Sequence, residues 1–216
     1  MTPFHHPSDA TLIAYGAGNL SEGVALVVAC HLTVCPECRE KIEIANAVGG
    51  LLLEDVPPSP LSPSRLAETL SKLDAPSAPE VVPDPSPGQS TSQSWLPSPL
   101  RPYRVGQWRW IGPGIKQIVV VPKVLGGSSA RLLCLAPGAA IPYHGHNGVE
   151  LACVLRGSFS DDRGRFAAGD VSEADEGMCH RPVAGTDGEC ICLIATNGPL
   201  RFYSLAGRLI QRLMRF

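Results

Sequence analysis

With 216 residues, 44% hydrophobic and 18% charged side chains, the chain reads as globular, with material for one or two domains. A formal charge of -2 excludes a polypeptide that grips nucleic acid along its whole length. The longest strictly apolar run near the start, Val24 to Cys30, is too short to span a bilayer. Residues Met1 to His5 hold neither a basic n-region nor an apolar h-region, so no signal peptide is expected. Eight cysteines without an export signal suit a reducing cytoplasm, where thiols serve metals or redox sensing.

Charge is unevenly spread. Residues 1–73 carry four basic and eight acidic side chains, net -4, and residues 101–216 carry fourteen and nine, net +5. The acidic half suits a basic protein partner better than a phosphate backbone.

That first half reads as helical. Ser8 is placed to cap a helix from Asp9 to Ala17, with Leu12 and Tyr15 on one face and Gly16 and Gly18 at its end. Ser21 caps a second helix through Val24, Leu26, Val27 and Val28. Pro36 fits the first turn of a third, which continues through Ile42, Ile44 and Val48 to Gly49-Gly50 or a little beyond. Between the second and third lies His31-x3-Cys35-x2-Cys38, one imidazole and two thiols spaced to reach one tetrahedral zinc. His5 or His6 can supply a fourth ligand, and a closed Cys2His2 set holds structure rather than doing chemistry. Cys35 and Cys38 fall at a helix N-terminus, where backbone N–H groups favour thiolate. After Pro57-Pro58-Ser59-Pro60, the stretch Ser64 to Leu73 is amphipathic, with Leu66, Leu70 and Leu73 at helical spacing. It is either a fourth packed helix or a partner-binding arm.

Residues 74–100 contain seven prolines and six serines and read as an extended linker. Beyond Tyr103, β-rich runs (Ile118 to Val121, Arg131 to Leu135, Leu151 to Leu155, Ile191 to Ala195) divided by Gly, Pro and Asp turns predict an all-β barrel. The expected divisions are a zinc-binding all-α bundle over 1–76, a Pro/Ser-rich linker over 77–100 and the β domain over 101–216. The tail Leu205 to Phe216 sets Arg208, Arg212 and Arg215 beside Leu209, Leu213 and Phe216, and is expected to dock on the barrel.

The β half has its own cluster. His144 and His146, two apart on a strand, point to one face; Glu150 follows a turn at Asn147-Gly148, and His180 comes thirty residues later. Three imidazoles and a carboxylate suit Zn, Mn, Fe or Ni. Cys179 adjoins His180, and Cys190 and Cys192 share a strand face. Oxidation of these thiols or of a ligand is one way to perturb the barrel. The alternative is that Cys134, Cys153, Cys190 and Cys192 simply fill core.

Gly138-x5-His144-x-His146-x3-Glu150-x6-Gly157, then Gly169-x5-Asp175-x-Gly177-x2-His180-x3-Ala184, resembles the two motifs of the cupin double-stranded β-helix. Asp175 stands where that pattern has Pro and Ala184 where it has Asn. From His5-His6-Pro7-Ser8-Asp9 to the cupin tetrad, the whole chain resembles ChrR-type zinc anti-sigma factors. The resemblance places structural zinc on His6, His31, Cys35 and Cys38. It places a second divalent metal, expected to be zinc, on His144, His146, Glu150 and His180. It implies no catalytic residues, a 1:1 complex with an extracytoplasmic-function group sigma factor in the cytoplasm, and no direct contact with DNA or membrane. The sigma factor would be kept from core RNA polymerase and released on singlet-oxygen or peroxide stress sensed by the cupin. Two other readings compete. One is a metal-dependent cupin oxygenase with an accessory zinc domain; the weaker one is a DNA-binding zinc-finger repressor, which the acidic N-terminal half disfavours.

Overall fold

The computed structural model describes residues 2–74, 95–103, 105–123 and 127–203. Most of the predicted linker (75–94) and the tail from 204 lie outside the described residues.

The helices start where the sequence sets them. Helix α1 (Asp9–Gly16) starts at Ser8, whose hydroxyl accepts from the Thr11 N–H, whereas extended Ser21 precedes α2 (Glu22–Leu32) without a side-chain cap bond. Helix α3 (Pro36–Glu54) begins at the proline and runs through Gly49-Gly50, and α4 (Arg65–Asp74) is the amphipathic stretch.

Among the described residues, twelve strands follow a 3-10 turn at Ser98–Leu100. The largest sheet is built from β1 (Arg109–Gly112), β2 (Ile115–Val121), β3 (Ser129–Leu135), β5 (Glu150–Arg156), β8 (Val171–Ala174) and β11 (Cys190–Thr196), in the order β1-β2-β3-β11-β5-β8. A second sheet orders β10 (Val183–Ala184), β6 (Ser158–Asp161) and β7 (Gly164–Ala167); a third orders β12 (Leu200–Phe202), β4 (His144–His146) and β9 (Cys179–His180).

By contact the chain forms two units, one of residues 1–46 and 96–216 and one of residues 47–95. In the first, the central strands β3 and β11 of the large sheet are buried on both faces, while edge strand β1 leaves Trp110 exposed. Leu133 and Leu135 of β3 turn inward to Val154, Phe159 and Phe202, while Leu132 and Cys134 turn outward to a cluster with Val24, Val27 and Val28 of α2. This explains why β3 and β11 read as continuous apolar runs rather than as alternating ones. Helix α2 crosses β3, β11 and β5. The end of the stretch read as linker is also core: Leu96 and Leu100 are buried in the outward cluster.

The second unit holds the C-terminal part of α3 and the whole of α4. Val48, Leu51 and Leu52 on α3 are exposed, as are Leu66, Leu70 and Leu73 on α4.

Candidate metal centres

The first cluster forms where α2 ends, α3 begins and the extended N-terminal segment passes. Its four ligand atoms, from His6, His31, Cys35 and Cys38, lie within 4.8 Å of one another. His31 Nε2 is 3.2 Å from Cys38 Sγ, and His6 Nδ1 is 3.4 and 3.3 Å from the two sulfurs. A tetrahedral zinc with Zn–S of ~2.3 Å and Zn–N of ~2.0 Å has edges of about 3.5 Å, so the four atoms fit such an ion. His31 is fixed from behind: its Nδ1 donates to the Gly169 carbonyl at 2.7 Å, which leaves Nε2 facing the sulfurs. Of the two N-terminal histidines, His6 enters the cluster, while His5 stacks on Phe166 at 4.3 Å.

Cys38 N–H donates to Cys35 Sγ at 3.4 Å, and burial, together with the neighbouring Cys35, pushes the Cys38 thiol up to about 12. A cation bound between them is what would favour the Cys38 thiolate.

The second cluster lies inside the β-barrel. His144 and His146 sit on β4, with β9 hydrogen-bonded alongside so that His180 pairs with His144. Glu150 opens β5 after the turn at Gly148. His180 Nε2 is 3.2 Å from both His144 Nε2 and His146 Nε2, and Glu150 oxygens lie 3.7 Å from His180 Nε2 and His146 Nδ1. Three nitrogens facing one another at the ~3.3 Å edge of a Zn–N polyhedron suit one shared cation. All four residues are buried, and His146 Nδ1 has no hydrogen-bond partner among the described residues. The donor set fits a divalent metal.

Burial lowers His144 to about 4, while at His180 burial is outweighed by the hydrogen bond to Asp161 and by Glu150, which raise it to about 9. Burial opposes ionisation of Glu150, but His180 at 3.7 Å and the other imidazoles overcome it and hold the carboxyl down to about 2. Beside the cluster a cavity of about 30 Å³ is lined by Leu133, Leu135, Ile141, Phe159, Cys192 and Leu200.

The sequence reading did not single out the residues behind this site. His180 Nδ1 meets Asp161 Oδ2 at 2.9 Å, and Arg163 donates to the same oxygen at 2.7 Å and to Ser172 Oγ at 2.6 Å. Such a carboxylate–histidine pair orients a metal ligand. The available signal was weak: Asp161 and Arg163 flank a hairpin in a region of other charges. Cys190 and Cys192 face each other with sulfurs 3.6 Å apart, both buried, and Cys179 is half-buried with its sulfur 3.6 Å from the Tyr203 hydroxyl.

Comparison with known proteins decides the family. Over its full length the chain is 43% identical to the anti-sigma-E factor ChrR of Cereibacter sphaeroides, covering all of both chains. The chain belongs to the ChrR family. The ChrR cupin-like domain family matches residues 103–200. The solved complex of Rhodobacter sphaeroides SigE with the anti-sigma ChrR matches with a TM-score of 0.71 and 42% identity, over 89% of this chain and 98% of that one. A cupin-like protein of unknown function from Ralstonia eutropha JMP134 is also similar, at 19% identity and a TM-score of 0.42, over 52% of this chain and 86% of its own. The ChrR relative is an anti-sigma factor. Among the described residues, no helix is long and apolar enough to cross a membrane.

Proposed function

We propose that this protein is a cytoplasmic anti-sigma factor that binds one extracytoplasmic-function group sigma factor, 1:1, and keeps it from core RNA polymerase. The full-length likeness to an anti-sigma factor whose relative was solved with its sigma partner carries this reading. The second unit supports it physically. Val48, Leu51 and Leu52 recur at helical spacing on α3, and Leu66, Leu70 and Leu73 on α4, all exposed in a segment of acidic balance. Amphipathic helices of this kind bury their apolar faces in a partner's grooves, and their acidic surroundings suit a basic partner.

In this reading His6, His31, Cys35 and Cys38 hold a structural zinc that fixes the α2–α3 corner and the N-terminal segment. The four protein ligands leave no open position, so the ion supplies rigidity alone. His144, His146, Glu150 and His180 hold the second metal, taken as zinc, and make the cupin the sensor. The signal is singlet oxygen or peroxide stress, and sensing releases the sigma factor. The division into 1–76, 77–100 and 101–216 is then one of labour, with the sigma-binding surface in the first part and the sensor in the third.

Co-expression with the small sigma factors of its host tests the reading. Wild type is expected to co-purify with one of them at 1:1, and His31→Ala to lose it. Wild type that captures no sigma factor overturns the reading.

A further inference from the structure

The two metal clusters are tied to one short stretch of the barrel. Behind His180, Asp161 is gripped by Arg163, whose Nη1 donates to the Glu173 backbone carbonyl at 2.7 Å. The Glu173 carboxylate reaches the opposite way. It accepts from the Ser8 N–H and from the Thr11 hydroxyl, each at 2.8 Å, and so holds the cap of α1 just beyond ligand His6. At the start of the same stretch the Gly169 carbonyl accepts a hydrogen bond from His31 Nδ1–H, and Asp170 Oδ1 accepts from the N–H groups of Phe4 and His5 at 2.6 and 3.1 Å. Val171 N–H closes the seam by donating to the His5 carbonyl at 3.0 Å. Gly169, at φ +97, permits this approach: a Cβ there would come within 3.1 Å of Pro3 and 3.3 Å of Val34. Strand β8 also pairs with β5, setting Ala174 opposite Glu150.

A ligand of each cluster is therefore oriented by residues 169–173, His31 directly by the Gly169 carbonyl and His180 through Arg163 and Asp161. Asp161 is fully buried at its side chain, and displacing it would leave the Arg163 cation without its partner. A contiguous chain of packed, hydrogen-bonded groups of this kind is the physical route by which two sites can be coupled.

We propose that residues 169–173 couple the two metal centres, so that a metal at the barrel site tightens metal binding at the Cys2His2 site, with Glu173 as the positioning residue that carries the coupling. Binding linkage makes the effect reciprocal. The inference rests on both clusters holding metal, as proposed above.

Cobalt(II) separates the two sites in the full-length chain, because thiolate-to-cobalt absorption arises only at the cluster with cysteines. A double-mutant cycle compares cobalt affinity at that cluster in wild type, His144→Ala, Glu173→Ala and the pair. In the wild-type background, removing the barrel site with His144→Ala is expected to weaken cobalt at the cysteines about fivefold or more. In the Glu173→Ala background the same change is expected to do nothing, although Glu173 touches neither set of ligands. Should Glu173→Ala not fold, Thr11→Val, which removes one of its hydrogen bonds, is expected to shrink the ratio partway. An equal ratio in every background, or no effect of His144→Ala in wild type, overturns the coupling. Bound metal is counted on the same samples: fewer than two equivalents in wild type at saturation removes the metal reading and this inference with it. Two equivalents with equal ratios overturn the coupling alone.

Discussion

The two clusters have four ligands each and opposite surroundings. The Cys2His2 cluster is held at a corner of the helical segment, and burial, with the neighbouring Cys35, pushes its Cys38 thiol up to about 12. The barrel cluster sits among strands, its histidine oriented by a buried carboxylate, with an apolar cavity at its side. Soft thiolate donors suit the first to scaffolding, whereas three imidazoles and a carboxylate suit the second to a wider range of metals, which the proposed sensing role would use. Equal ligand counts do not mean equal roles; what lies behind and beside the ligands sets them apart.

The largest expected effect is at the scaffold. Cys38→Ala is expected to remove one equivalent of zinc and to melt the α2–α3 corner, since structural zinc contributes on the order of 10 kcal/mol to folding in small domains. Metal analysis with far-UV circular dichroism checks it, and a helical signal surviving unchanged would break the contrast. Next, Leu132→Ala is expected to cost about 2–5 kcal/mol in denaturant unfolding, because Leu132 is fully buried between the sheet and α2. Helix and sheet probes should shift together. Asp161→Asn is expected to weaken metal at the barrel site about 10–100-fold while the cobalt–thiolate spectrum keeps its shape. The smallest effect concerns reactivity: Cys179 should be alkylated ahead of the buried Cys30, Cys134, Cys153, Cys190 and Cys192, as mass spectrometry of timed samples would record.

Much of this was legible locally. Ser8, Ser21 and Pro36 announce helices because capping is chemistry within one turn, and the His-x-His pair announces a strand face because side chains alternate there. The two ligand sets could be spaced out along the chain in advance, and the structure brings the atoms of each within 4.8 Å. What stayed hidden is long-range. Nothing in Val24, Val27 and Val28 says that they cover the outer face of a barrel more than 100 residues away, and Leu96 and Leu100 sit in a proline-rich stretch that looks extended. The Asp161–Arg163 pair was hidden for the same reason: its meaning comes from His180, nineteen positions on from Asp161. The helix terminus favours thiolate at Cys35 and Cys38, while burial pushes the Cys38 thiol the other way, a long-range effect the local sequence does not carry.

The most direct test of the division between scaffold and sensor compares sigma-factor capture and release by full-length His31→Ala and His144→Ala. The account predicts that His31→Ala captures no sigma factor, while His144→Ala captures it at 1:1 and fails to release it on singlet-oxygen exposure. Undiminished capture by His31→Ala, or normal release by His144→Ala, would contradict it.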